Sequence, residues 1–129
     1  MSLPPTISIV DDDASVRNAI SRFVRSHGYV AHTFSSAAEF LSSPQIDTTS
    51  CVIADVQMPN MNGVELQDTL RSQSRRLPII FITAFPEDAI RARVLGAGAV
   101  CYLTKPVDGS TLINHIHGAV VKSGRGDNK

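Results

Sequence analysis

Apolar runs and helical stripes alternate along the chain, with Gly, Pro, Ser and Asp between them. Five short runs read as strands: Ile7 to Val10, Tyr29 to Phe34, Cys51 to Ala54, Leu77 to Ile82 and Val100 to Thr104. All but one are nearly continuous in apolar or β-branched residues, the pattern of strands buried on both faces. Between the first two, Val16, Ala19, Ile20, Phe23 and Val24 form a single helical stripe closed by Gly28. Ser36 to Leu41 predicts a short second helix ended by Ser42-Ser43-Pro44, and Gly63 to Gln73 a third that buries Val64, Leu66 and Leu70. A fourth is expected to open with Pro86 as its first helical residue and to run through Ile90 and Val94 to Gly96. The last takes Asp108 as its cap and carries Leu112, Ile113, Ile116 and Val120 on one side. Strands joined by helices of this length need right-handed crossovers, so the pattern predicts an α/β fold with an open, doubly wound parallel sheet.

The 129 residues fit one domain, and 43% apolar with 19% charged residues suffice for a core and exclude disorder throughout. Twelve Lys and Arg balance 12 Asp and Glu, so no global field draws the chain toward nucleic acid or a membrane surface. The longest nearly uncharged apolar stretch, Leu77 to Phe85, is far short of the ~20 residues that cross a bilayer. Met1-Ser2-Leu3-Pro4-Pro5 lacks the basic and apolar regions of a secretion signal, so a cytoplasmic location is expected. Cys51 and Cys101 lie in apolar runs without metal-site spacing and read as buried small hydrophobes. On the third and fifth strands they would stand ~9.6 Å apart, two strand spacings, too far for a disulfide. His115 and His117, two apart on a helix, point to different faces and are expected to be solvated or to face a partner. Residues 1–5 read as a tail, 6–122 as the domain, and the Gly-rich, polar 123–129 as a second tail or the start of a linker.

The chemistry collects where the strands stop. The first run ends in Asp11-Asp12-Asp13, the third in Asp55, the fourth in Thr83 and the fifth in Lys105. In a parallel sheet these ends share one edge, and ligands of such sheets bind beyond the carboxyl ends of the strands. Two carboxylates ~4 Å apart repel by ~4 kcal/mol at an effective dielectric of 20, so something must neutralise them. Lys105 supplies one positive charge, and a hard divalent cation taking carboxylate, carbonyl and water oxygens supplies two, with Mg²⁺ the economical choice. A lone Asp after a strand is usually a helix cap, and Asp13 is given that role. A lone Thr or Lys at a strand end means little; the coincidence across four strands is what points to a site.

With these residues on view, the chain resembles a receiver domain of two-component response regulators over about residues 6 to 122. The motifs are Val10-Asp11-Asp12-Asp13, Asp55 followed by Met58-Pro59-Asn60-Met61-Asn62-Gly63, Thr83-Ala84, and Lys105-Pro106. The resemblance implies a flavodoxin-like (βα)5 three-layer sandwich with strand order 2-1-3-4-5. It implies that Asp55 takes a phosphoryl group from the phosphohistidine of a sensor histidine kinase. Asp11, Asp12, Asp55 and the backbone carbonyl of Gln57 would hold Mg²⁺, with Mn²⁺ as a substitute. Lys105 would pair with the phosphoryl oxygens, and the Thr83 hydroxyl would move to bond one of them. Tyr102 takes the place of the aromatic switch residue, and Pro106 is a candidate for a cis bond. The switched face would be read by a downstream output domain or protein partner, or by a second copy in a phosphorylation-dependent homodimer. No direct binding of nucleic acid or membrane by this domain is implied, and no substrate turnover beyond self-phosphorylation and slow self-dephosphorylation.

This sequence departs from the family pattern at Val107, where an aromatic residue is common. Gln57 and Phe85, two residues after Asp55 and Thr83, occupy places that tune the access of water to the acyl phosphate, and a bulky Phe85 predicts slow loss of the group. Three rivals remain in view. An FMN-binding module would need a hydroxyl- and glycine-rich loop where Asp11-Asp12-Asp13 stands. An aspartate-nucleophile phosphatase would carry its nucleophile after the first strand, in a DxD pattern, together with a cap domain. A receiver-like domain that signals without phosphorylation would not need all five site residues. The stimulus, the output, the oligomeric state and whether the domain works alone or within a longer regulator are open at this point.

Overall fold

The computed structural model describes residues 4–123; the outer parts of the two expected tails, residues 1–3 and 124–129, lie outside the described residues. In chain order the elements are β1 (Thr6–Val10), α1 (Ala14–Ser26), β2 (Val30–Phe34), α2 (Ala37–Leu41), a 3₁₀ turn (Pro44–Thr48), β3 (Cys51–Asp55), α3 (Gly63–Ser72), β4 (Ile79–Thr83), α4 (Asp88–Gly96), β5 (Cys101–Thr104) and α5 (Gly109–Ser123). All strand pairs are parallel, in the order β2-β1-β3-β4-β5. This is the doubly wound sheet expected from the alternation of runs and stripes, and the chain reverses direction across the sheet between β1 and β3.

Side-chain alternation along the strands builds two cores. Ile7, Ile9, Ile53, Ile80 and Ile82 pack on one face with Ile20 and Val24 of α1 and Leu112, Ile113 and Ile116 of α5. Val52, Ala54 and Phe81 face the other way, with Phe40 of α2, Leu66 and Leu70 of α3, and Val94 of α4. Every residue of β3 and β4 is buried. Each fully buried Ile or Phe contributes on the order of 2 kcal/mol, so the centre of the sheet is the stiff part of the molecule and holds its strand ends in place. Cys51 and Cys101 are free thiols on β3 and β5, and burial pushes them up to about 12 and about 11. They act as packing atoms.

Helix boundaries follow local chemistry. Asp13 caps α1 by accepting from the backbone N–H groups of Ser15 and Val16. Ser36 caps α2, and Asn62 with Glu65 closes a reciprocal capping box on α3. Asp108 accepts from Thr111 N at 2.9 Å at the start of α5.

The structure corrects the expectation for α4. The helix begins at Asp88 with Glu87 as its cap residue, two positions later than a Pro86 start. The Thr83 hydroxyl accepts the N–H of Phe85, and the Tyr102 hydroxyl accepts that of Glu87, whose backbone is extended (φ −134, ψ 130). Both bonds hold residues 84–87 as a loop. A 3₁₀ turn follows α2 where the Ser-Ser-Pro run predicts only a helix stop; Ser43 caps it and Pro44 opens it. The Tyr29, Leu77 and Val100 starts of three predicted strands lie just outside β2, β4 and β5. Among the described residues no helix is long and apolar enough to cross a membrane.

Candidate functional site

Four strand ends deliver the chemistry to one edge of the sheet. Asp11 directly follows β1, where its N–H still bonds Phe34 O of β2 at 3.1 Å. Asp55 closes β3 and Thr83 closes β4. Lys105 directly follows β5, its N–H bonded to Thr83 O at 2.8 Å. Oxygens of Asp11, Asp12 and Asp55 lie within 4.8 Å of one another. Asp11 and Asp55 are buried, whereas Asp12 is exposed.

The ammonium of Lys105 stands between the two buried carboxylates, 3.1 Å from Asp11 Oδ2 and 3.3 Å from Asp55 Oδ2. The remaining Asp11 oxygen accepts from Asp13 N at 2.9 Å, and Asp55 Oδ1 accepts from Gln57 N at 3.2 Å. Arg17 of α1 donates to the Asp11 carbonyl at 2.7 Å, fixing the turn that aims the acidic loop. Burial, then the neighbouring Asp11 charge, pushes the Asp55 carboxyl up to about 6 despite the attraction of Lys105. For Lys105, burial works downward, but the two carboxylates more than offset it and hold the ammonium above its ordinary value.

Three carboxylates against one ammonium leave the cluster short of positive charge. The deficit sits on hard oxygen donors, and Asp11 Oδ2 is buried with an ion pair but no hydrogen bond. A small hard dication fits that donor set, and the three carboxylates expected to hold Mg²⁺ lie together.

Thr83 is fully buried. Its hydroxyl donates to Gln57 Oε1 at 2.6 Å and accepts from Phe85 N at 3.0 Å. It is therefore directed to the loop after β3 through the Gln57 side chain. Tyr102, half-buried on β5, packs against the core on the α3 and α4 side and accepts the Glu87 N–H at 3.1 Å. The Lys105–Pro106 peptide bond is cis. Phe85 is 69% exposed. His117 is exposed and its Nδ1 is hydrogen-bonded to the Tyr29 hydroxyl, while His115 is half-buried.

Two features of the site were not read from the residues. The bond between the Gln57 side chain and Thr83 joins positions 26 apart and leaves no local signal in the chain. The second is Gly63, which appeared only as the end of a motif and the start of a helix. A β-carbon there would stand 2.5 Å from the Asp55 carbonyl oxygen and 3.1 Å from Val56 Cα. Its presence at a first helical position, where a side chain is usually tolerated, was the available sign.

The sequence profile of the response regulator receiver domain matches residues 7–117. The response regulator protein TodT of Pseudomonas putida is 38% identical over 114 residues, covering 88% of this chain and 50% of its own length. The transcriptional regulatory protein FixJ of Bradyrhizobium diazoefficiens is 30% identical, covering 88% of this chain and 56% of its own. The chain thus spans about half the length of the curated relatives it matches. Among solved structures, the response regulator StyR superposes with a TM-score of 0.87 at 36% identity over 94% of this chain and 61% of that one. The FixJ-N crystal structure superposes at 0.83 with 30% identity, covering 94% and 96%. Sheet order, site placement and these matches agree: the chain belongs to the response regulator receiver domain family.

Proposed function

We propose that Asp55 is the phosphoacceptor of this receiver and that the domain switches a partner-binding face when it is phosphorylated. The observation that carries the reading is the placement of Lys105 Nζ within 3.3 Å of oxygens of both Asp11 and Asp55 at the common edge of the strand ends. The donor is the phosphohistidine of a sensor histidine kinase in the cytoplasm. An Asp55 carboxylate oxygen bonds to phosphorus as the P–N bond breaks, and the imidazole nitrogen leaves with the electron pair.

Phosphoryl transfer passes through a loose transition state, so the protein's task is alignment and charge neutralisation. Asp11, Asp12, Asp55 and the Gln57 carbonyl would hold Mg²⁺, or Mn²⁺ in its place, and receiver domains bind Mg²⁺ in an acidic pocket. When bound, the ion supplies charge neutralisation for the incoming phosphoryl oxygens. Lys105 already pairs with Asp55 and needs only a small displacement to follow charge onto a phosphoryl oxygen.

The Thr83 hydroxyl then turns to the phosphoryl group. The neighbouring α4 supports a mobile output: it buries Val94 alone and has no side-chain cap, and the Tyr102 hydroxyl holds the N–H of its cap residue. Turning of Tyr102 would release that tie and change the face of α4, β5 and α5 read by an output domain, a protein partner or a second copy. The receiver unit comprises residues 6–122. Phe85, two residues past Thr83, supports slow self-dephosphorylation, and Phe85→Ala is expected to shorten the phosphorylated lifetime.

The test is mass spectrometry after treatment with a small phosphodonor and Mg²⁺. Wild type should retain one phosphoryl group, and Asp55→Asn none. An equal gain in both proteins removes Asp55 from this role, and continuous release of phosphate over many turnovers would favour a phosphatase.

A further inference from the structure

We infer that the Gln57 side chain is a latch that holds Thr83 in the unphosphorylated arrangement, so that the identity of residue 57 sets how readily the domain switches. The inference rests on the reading of Asp55 as phosphoacceptor and of Thr83 as the group that answers to it. A threonine hydroxyl has a single proton to donate. In this structure the proton is committed to Gln57 Oε1, at 2.6 Å, while one of the oxygen's two lone pairs accepts from Phe85 N. Thr83 is fully buried, so no water competes for that proton. A phosphoryl oxygen on Asp55 can receive it only if Gln57 gives it up, and the two acceptors therefore compete directly.

The latch is tied to the acceptor from its other end. The backbone N–H of Gln57 bonds Asp55 Oδ1 at 3.2 Å, so one residue touches the phosphorylatable carboxylate through its main chain and the switch hydroxyl through its side chain. The carboxamide also has somewhere to go when released. Gln57 lines a cleft of about 490 Å³ with Met58, Pro59, Asn62, Glu87 and Ile90, between the loop after β3 and the start of α4. A freed amide can be hydrated there, which keeps the switch reversible.

Removing the acceptor should leave the Thr83 hydroxyl without its partner and make the unphosphorylated arrangement less favourable. Gln57→Met keeps the length and the main-chain carbonyl while deleting the acceptor. We would measure by calorimetry the affinity for beryllium fluoride, a tetrahedral phosphoryl mimic, in the presence of Mg²⁺. Gln57→Met is expected to bind about fivefold more tightly than wild type, the weight of one neutral hydrogen bond. In a Thr83→Val background the same substitution should change nothing. In the metal-free proteins, three-bond couplings of Thr83 should show one χ1 rotamer in wild type and a mixture in Gln57→Met.

A gain within twofold of wild type, or a gain that persists without the Thr83 hydroxyl, overturns the latch while leaving the Asp55 reading intact. Failure of wild type to bind the mimic overturns the Asp55 reading, and the latch falls with it.

Discussion

The α-carbon of Gly63 faces the end of β3 so closely that a β-carbon would lie 2.5 Å from the carbonyl oxygen of Asp55. The Gly63 N–H simultaneously bonds Val56 O at 2.9 Å, so the start of α3 is drawn down onto the residue that follows the site carboxylate. The obstacle to any side chain is backbone, which cannot rotate away. Gly63→Ala should therefore destabilise the domain by about 1–3 kcal/mol, the usual cost of forcing a methyl into a packed site. A lowered thermal midpoint together with a reduced yield of phosphorylated protein would agree; an unchanged midpoint would show that α3 can slide without loss.

Asp55 gives stability a sign that is unusual for a carboxylate. Its folded-state pKa, about 6, lies above the ordinary 3.8, so the folded chain binds the proton more tightly than the unfolded one. The contribution is fully present below about pH 4 and is lost as pH rises through about 6. Metal-free Asp55→Asn should thus be more stable than wild type at pH 7.5, by on the order of 1–3 kcal/mol. The difference should shrink toward zero by pH 4. Urea denaturation at both pH values checks this, and a constant difference would contradict it.

Lys105 is the counter-charge for two buried carboxylates. Lys105→Met leaves them facing each other, which should raise the Asp55 carboxyl further above about 6 and cost about 1–3 kcal/mol of stability at pH 7.5. The Asp55 side-chain carbon resonance followed through a pH titration reports the first effect. A midpoint at or below that of wild type would refute it.

Added Mg²⁺ should stabilise wild type by roughly 1.4 kcal/mol at tenfold over its dissociation constant, a rise of roughly 3–5 °C in midpoint. Asp12→Ala removes the exposed carboxylate of the cluster while leaving Asp11, Asp55 and Lys105 in place. It should abolish most of that rise without lowering the metal-free midpoint by more than about 0.5 kcal/mol, as expected for an exposed position. An equal Mg²⁺ response in both proteins would exclude Asp12 as a ligand.

The Tyr102 hydroxyl holds the Glu87 N–H at the head of α4. Tyr102→Phe should cost about 0.5–1.5 kcal/mol locally and speed amide exchange at the start of α4 more than elsewhere. Uniform protection would show that the helix is held by other contacts.

Much of this molecule is visible in the order of residues because its determinants are short-range. The 3.6-residue stripe of Val16, Ile20, Phe23 and Val24, the strand runs that end in Asp55 and Thr83, and the caps Asp13 and Asp108 each act over one turn or one strand, whereas Ala19, also expected in the stripe, is exposed. Once the runs are strands in a parallel sheet, chain direction alone brings Asp11, Asp55, Thr83 and Lys105 to one edge. The start of α4 departs from the Pro86 signal because the partners of Phe85 N and Glu87 N are Thr83 and Tyr102, and Tyr102 lies on another strand.

What the amino-acid order determined by itself is therefore which side chains arrive at the site and from which elements, since periodicity and capping are properties of neighbouring residues. Which of those groups touch follows from how the segments pack against one another. That packing placed the Lys105 ammonium between Asp11 and Asp55, engaged the single Thr83 proton with Gln57, and pressed Gly63 against the Asp55 carbonyl. Those relations depend on ångström distances between chain segments far apart in sequence, and such distances are set by how the two cores pack around the sheet.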